Sequence, residues 1–200
     1  MGTLERTAAY LSRRNRGRKA LPSLLFFTDP ERTPDFEAIA ERLPRGAGVV
    51  YRAFGAADAQ MRGQALAGIA RRRGLVLLAG ADPALARAIG ADGVHLPERL
   101  AHRASSVKAA QPRWIVTTAA HSLRAARAAF AAGADAVVVS PAFESRSRSA
   151  GPPLGPVRLA LLARAAKGQV YALGGITNKN ARRLAGLRLV GLAAVEAFRT

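Results

Sequence analysis

The chain has no cysteine, which removes disulfides, thiolate metal sites and thiol nucleophiles together. It also lacks any apolar run near the roughly 18 to 20 residues that a membrane-spanning helix needs; stretches such as 74–79 and 134–140, the second interrupted by Asp135, are far shorter. Residues 1–18 are polar and basic rather than apolar, so no secretory leader of the usual kind is expected. A soluble, cytoplasmic protein with no membrane partner is the expectation. Aromatic residues are sparse at 6%, and acidic ones are few, 13 against 31 Lys plus Arg.

The resulting net charge of +18 brings nucleic acid to mind first. The pattern argues otherwise. Nearly all the cations are Arg, they recur singly or in short runs inside Ala-rich helical stretches, and stacking aromatics are missing. Solvated Arg-rich helix faces account for this, and nucleic acid is not expected as a partner. The best candidate for a basic arm is Arg13, Arg14, Arg16, Arg18 and Lys19, which reads instead as the end of a short helix before the first strand.

What is present is a repeat. Eight short, almost continuously apolar runs recur at 24–28, 48–52, 75–78, 93–96, 114–118, 136–140, 170–173 and 189–193. Such runs suit parallel strands buried on both faces. Ala/Leu/Arg segments with helical spacing separate most of them, which predicts an α/β fold. Gly90-Ala91-Asp92-Gly93-Val94 and Gly133-Ala134-Asp135-Ala136-Val137 repeat one helix-stop, turn and strand-start signal. Eight units of about 24 residues favour a compact closed (β/α)8 TIM barrel over an open doubly wound sheet. One barrel domain over 1–200, with a basic helical segment at about 1–19, is expected. After the last run only 196–200 remain, so the eighth helix is short or missing, and the N-terminal helix or a partner subunit is expected to cover the gap.

Ligands of such barrels meet the loops that follow the strands, with phosphate commonly after strands seven and eight. There the sequence reads Leu173-Gly174-Gly175-Ile176-Thr177-Asn178. Gly174 and Gly175 would let backbone amides approach a phosphate, with Thr177 or Asn178 capping the next helix; a plain tight turn explains a Gly-Gly pair alone. The loop at 140–151 alternates hydroxyl and guanidinium groups, with Ser145, Ser147 and Arg148 suited to an anion, or simply to water. His121 would stand at the mouth after strand five as a proton shuttle. His95 ends strand four and is equally explained by a backbone partner, and His102 reads as surface. No spacing suggests a metal site.

The ordered set Phe27-Thr28-Asp29, 90–96, His121-Ser122, Gly133-Ala134-Asp135, Ser140-Pro141-Ala142-Phe143 and Leu173-Gly174-Gly175-Ile176 with Asn180 resembles the thiamin phosphate synthase and TenI-type thiazole tautomerase superfamily from about residue 24 to 195. The resemblance implies a barrel, a small phosphorylated thiazole-type ligand and a role in thiamin metabolism. The synthases join a pyrimidine diphosphate to thiazole phosphate and use a Gln-x-Arg-x-Lys strand, an Asn-Asp pair and Mg2+. Here those positions hold Val50, Arg52 and Phe54, then Gly80 and Ala81, so only Arg52 persists. Glu196 stands where a phosphate-capping Ser is usual, and like charge would oppose an anion there. His121 matches the acid/base of the tautomerases.

The resemblance therefore implies an enzyme, either isomerase or transferase. A TenI-like tautomerase is favoured, with proton transfer by His121 and the phosphate held by Gly174, Gly175 and Arg52 or Arg148. The alternatives are a synthase with an altered diphosphate site, to which alone Mg2+ would belong, and a non-catalytic barrel that binds a phospholigand. A homo-oligomer is compatible with either.

Overall fold

The computed structural model describes residues 2–14, 20–147 and 151–198. Eight parallel strands close into a barrel in chain order: β1 (Leu24–Phe27), β2 (Gly48–Tyr51), β3 (Val76–Gly80), β4 (Gly93–Leu96), β5 (Ile115–Ala120), β6 (Ala136–Val139), β7 (Val170–Ala172) and β8 (Gly191–Ala194). Seven helices accompany them: α1 (Thr3–Arg14), α2 (Phe36–Arg42), α3 (Ala59–Arg73), α4 (Pro83–Ile89), α5 (Ala104–Ala110), α6 (Leu123–Ala131) and α7 (Gly155–Ala165). The predicted (β/α)8 barrel is the observed fold. Among the described residues no helix is long and apolar enough to cross a membrane.

Alternation along each strand sorts the side chains into two cores. Leu25, Phe27, Val50, Leu78, Val138 and Tyr171 fill the lumen, while the intervening residues, such as Phe26, Val49, Leu77 and Val94, pack outward beneath the helices. Gly93 marks a pinch in the wall. A Cβ there would run into the carbonyl of Ile115 on β5, so the close approach of those two strands requires glycine.

The two Gly-Ala-Asp repeats do one job at the base of the barrel, the end where the strands begin. Gly90 ends α4 in the left-handed conformation, φ 67°. Asp92 then accepts from the Leu77 amide at 2.8 Å, and Asp135 accepts from the Val116 amide at 2.8 Å. Each carboxylate accepts from the amide of the second residue of a neighbouring strand and so ties the turn to the sheet.

No α-helix follows β8 among the described residues; a single 3-10 turn, Glu196–Phe198, stands there. α1 takes the vacant place, packing against β8, β1 and the 3-10 turn Ala181–Leu184. Its buried stripe of Leu4, Thr7, Ala8 and Leu11 has the spacing of one helix face. Asn178 accepts from the Leu4 amide at 2.9 Å, so it caps the first helix rather than the next one. The segment 181–184 that follows is a short 3-10 turn on which Asn178 has no capping bond. Of the basic arm, Arg13 and Arg14 end α1, and Arg16, Arg18 and Lys19 lie outside the described residues.

Candidate active site

The mouth of the barrel, where the strands end, gathers the candidate groups in order around its rim. After β1, Asp29 folds an Asx turn, its Oδ1 accepting from the amides of Glu31 and Arg32 at 3.2 and 3.0 Å. Its Oδ2 accepts from Arg32 at 2.9 Å and from Arg52, after β2, at 3.1 Å. Arg52 Nε also donates to the Thr28 carbonyl at 2.7 Å, and the guanidinium carbon lies 5.7 Å from the Phe27 ring centre and 5.2 Å from that of Phe54. Burial would raise the Asp29 carboxyl, but hydrogen bonding and the charges of Arg32 and Arg52 override it, and its pKa is lowered. Burial likewise lowers Arg52, against the pull of Asp29, to about 10, so the guanidinium stays charged at neutral pH. Two cations on one carboxylate leave this corner of the mouth positive.

His95, on β4, is buried in the lumen. Its Nδ1 lies 2.9 Å from Thr117 Oγ1 on β5, and its ring meets Phe27 edge-on with centroids 4.9 Å apart. The partner is a side-chain hydroxyl rather than the backbone group considered from sequence. Burial, then the charge of Arg52, pushes its pKa down to about 3, which keeps the imidazole neutral. His121 stands just past β5, exposed at the rim. Its Nδ1 lies 2.8 Å from the Ser140 carbonyl beyond β6, and its amide donates to Glu98 at 2.7 Å. A carbonyl only accepts, so Nδ1 carries the hydrogen, and in the neutral ring the lone pair is left on Nε2. His102 is exposed.

After β7, Gly174 and Gly175 have φ of 97° and 64°. Their side-chain space is filled by the loop after β6: a Cβ on Gly175 would collide with the Glu144 carbonyl, and one on Gly174 would come within 2.9 Å of Pro141 Cα. The Ala142 amide donates to the Leu173 carbonyl at 2.8 Å and the Phe143 amide to the Gly174 carbonyl at 3.0 Å. Asn180 pins the turn by donating to the Gly175 carbonyl at 2.8 Å and accepting from the Thr177 amide at 2.9 Å. Among the described residues, the amides of Gly175 and Ile176 donate to no protein acceptor. The glycines thus admit the neighbouring loop and leave amides unspent.

Ser145 accepts from the Ser147 amide at 3.3 Å, and Arg148 lies outside the described residues. Glu196 does not stand alone at the mouth: Arg146 of the same loop approaches its carboxylate at 4.0 Å. That contact is long and the Arg146 side chain is 87% exposed, so it contributes little.

The carboxylates do not combine into a cation site. Asp29 is saturated as described, Asp82 caps α4 by accepting from Ala84 and Leu85 at 2.9 Å each, and Glu98 holds His121. Among the described residues no three His, Asp or Glu side chains converge to hold a metal. A Mg2+ ion would then rely on one or two of these carboxylates together with substrate phosphates and water. Sequence reasoning passed over Asp29 and Thr117 as site residues. Thr117 was within reach, because residues 115, 117 and 119 of one strand share the lumen face and Thr117 is its polar member.

The family model described as thiamine monophosphate synthase matches residues 24–198. The chain belongs to the thiamine monophosphate synthase family. The thiamine-phosphate synthase of Thiobacillus denitrificans (strain ATCC 25259 / T1) is 35% identical over 177 residues, covering 83% of this chain and 82% of that protein. That of Alcanivorax borkumensis (strain ATCC 700651 / DSM 11573 / NCIMB 13689 / SK2) is 31% identical over 89% and 85% respectively. A protein of Aquifex aeolicus (strain VF5) is 43% identical over 93 residues, a match that spans only half of that relative's length. Among solved structures, the thiamine phosphate pyrophosphorylase from Pyrococcus furiosus superposes with a TM-score of 0.73 at 25% identity, covering 87% of this chain and 85% of that one. These names side with the synthases rather than the tautomerases. This member of the thiamine monophosphate synthase family has the closed eight-stranded barrel, with Arg52 at its mouth.

Proposed function

We propose that this barrel is a transferase of the thiamine-phosphate synthase kind. It would join the methylene of a pyrimidine diphosphate to the ring nitrogen of a thiazole phosphate. The carbon–oxygen bond to the diphosphate breaks, a carbon–nitrogen bond forms, and pyrophosphate leaves. The observation that carries this reading is the match to proteins named thiamine-phosphate synthase over more than four-fifths of both chains. In support, the unspent amides of Gly175 and Ile176 suit the thiazole phosphate, and Arg52, held between two aromatic rings, supplies positive charge to the departing diphosphate. Ser145 and Ser147 lie on the loop packed over those glycines and, with Arg148 next in sequence, would complete the anion's surroundings. Guanidinium groups would meet the diphosphate, alone or beside a Mg2+ ion held largely by the diphosphate's own oxygens.

One observation favours a second reading, TenI-like proton transfer around the thiazole ring. The carbonyl of Ser140 fixes the tautomer of His121 so that Nε2 is the basic atom, which suits an acid/base residue.

The test is direct. The protein is given both substrates, with Mg2+ or with EDTA, and pyrophosphate is measured; in parallel, isomerisation of the thiazole carboxylate phosphate is followed with the parent and with His121→Ala. Pyrophosphate release that Arg52→Ala lowers by 100-fold or more, on the order of the loss of one transition-state charge partner, upholds the transferase. Isomerisation that disappears in His121→Ala replaces it with the tautomerase. Ligand-dependent thermal stabilisation without either turnover leaves a binding protein.

A further inference from the structure

We propose that the base of the barrel is a binding surface for the phosphate backbone of double-stranded nucleic acid. In a closed parallel barrel every connecting helix runs back from the mouth, so all helix C-termini share the base. In this chain six of the seven α-helices carry Arg or Lys in their last turn. The cations of these last turns, separated in sequence, are thereby brought to one end of the molecule.

Pairing with helix dipoles explains only part of this. One cation per helix end would suffice for it, yet α3 ends in Arg71, Arg72 and Arg73. Arg113 and Arg188 lie at the same end in connections that lead into strands, and Arg45, in the connection before β2, lies against Gly74, where it adds a fourth cation to the end of α3. All six are exposed. The counter-charges are elsewhere: only three of the 13 acidic residues, Glu41, Asp92 and Asp135, lie at the base. Glu41 bridges Arg72 at 2.6 Å, Asp135 bridges Lys108 at 2.7 Å, and Asp92 is turned to the Leu77 amide.

The chemistry of the face selects the partner. Guanidinium groups suit phosphate oxygens. Of the exposed large apolar side chains, Phe54, Met61, Val157 and Leu161 lie toward the mouth or along helix flanks, and Tyr10 of α1, whose hydroxyl accepts from Arg14 at 3.0 Å, is a lone ring near this end. Without wedges to insert, the face does not suit a lipid surface, and without aromatic platforms it does not suit unstacked bases. Duplex phosphates remain, read without sequence preference. The sequence pattern discounted nucleic acid because the cations are dispersed along the chain; the fold brings them together.

The experiment uses the intact protein and a fluorescently labelled 20-base-pair duplex, as DNA and as RNA, with anisotropy read across salt concentrations. With four or more phosphate contacts, affinity falls about 100-fold or more between 50 and 200 mM salt. Replacing Arg71, Arg72 and Arg73 with Ser should make the log–log salt slope shallower by about 2 to 3. The comparison variant R99S/R124S/R158S removes the same charge from the mouth half and should leave the slope as it was. Circular dichroism confirms that both are folded. The proposal is overturned by no binding at 50 mM salt, by equal losses in the two variants, or by binding to phosphatidylserine vesicles but not to either duplex. None of these outcomes bears on turnover at the mouth.

Discussion

The two ends of this barrel are built on opposite terms. At the mouth, charged groups at the strand ends are tied to their neighbours: Asp29 gathers Arg32 and Arg52, and Glu98 anchors the amide of His121. At the base, carboxylates serve the backbone, as Asp92 and Asp135 do, while a surplus of guanidinium groups faces solvent. Order in the mouth comes from side chains joining one loop to the next; order at the base comes from side chains bonded to strand amides. An end organised in the first way can be retuned for a new substrate, since its contacts lie outside the sheet, whereas the second sets the register of the strands themselves.

That contrast is sharpest in a pair of glycine replacements. Gly93→Ala should cost about 3 kcal/mol or more, because the new methyl meets the β5 backbone and neither strand can yield. Gly175→Ala should cost about 2 kcal/mol, since it combines a left-handed backbone with a loop that can shift. Equilibrium urea unfolding measures both, and a reversed order would show that the mouth loop is the stiffer of the two.

The next effect is a dependence on pH that belongs to the lumen. His95 is charged in the unfolded chain below about 6.5 and neutral in the folded one down to about 3. Its contribution is complete above pH 6.5 and is lost as the pH falls toward 3, at up to about 1.4 kcal/mol per pH unit. His95→Gln should flatten the stability profile between pH 6.5 and 4.5, a window that lies above the titration of Asp29. An unchanged slope would assign the acid sensitivity to other groups.

The smallest effects compare one ion pair from each end. Asp29→Asn should cost about 1 to 2 kcal/mol at pH 7, because it removes the charge and the Oδ2 acceptor that Arg32 and Arg52 share, while the remaining amide oxygen still serves the two backbone amides. The Asp29 pKa is lowered on folding, so this contribution is full above about 3.8 and disappears as the pH drops through the folded value. Glu41→Gln, at the exposed Arg72 pair of the base, should cost less than about 0.5 kcal/mol. Comparable losses would mean that the mouth network is no more cooperative than a surface pair.

The barrel was legible in the sequence because burial on both faces writes itself as short apolar runs, and because the repeated Gly-Ala-Asp turns mark where strands begin. The places of His121, read as a polar residue at a strand end, and of Arg52, taken from the family resemblance, were legible too. The Asp29–Arg52 and His95–Thr117 contacts were not. Each joins neighbouring strands across one step of register, and register depends on how the sheet closes rather than on local composition. The glycine pair stood out, but its first occupant was not foreseen: the approach of the loop after β6 is a tertiary contact that no local spacing encodes.

The docking of α1 between β8 and β1 also sets an order of events during folding. The helix made first has its apolar stripe of Leu4, Ala8 and Leu11 covered by strands at opposite ends of the chain, so this seam has the longest loop to close and is expected to form late. While the chain is being synthesised, that stripe stays uncovered until β8 has emerged. Early exposure of the first helix, more than weakness of the finished barrel, is then the point at which the protein is most open to aggregation or to a chaperone.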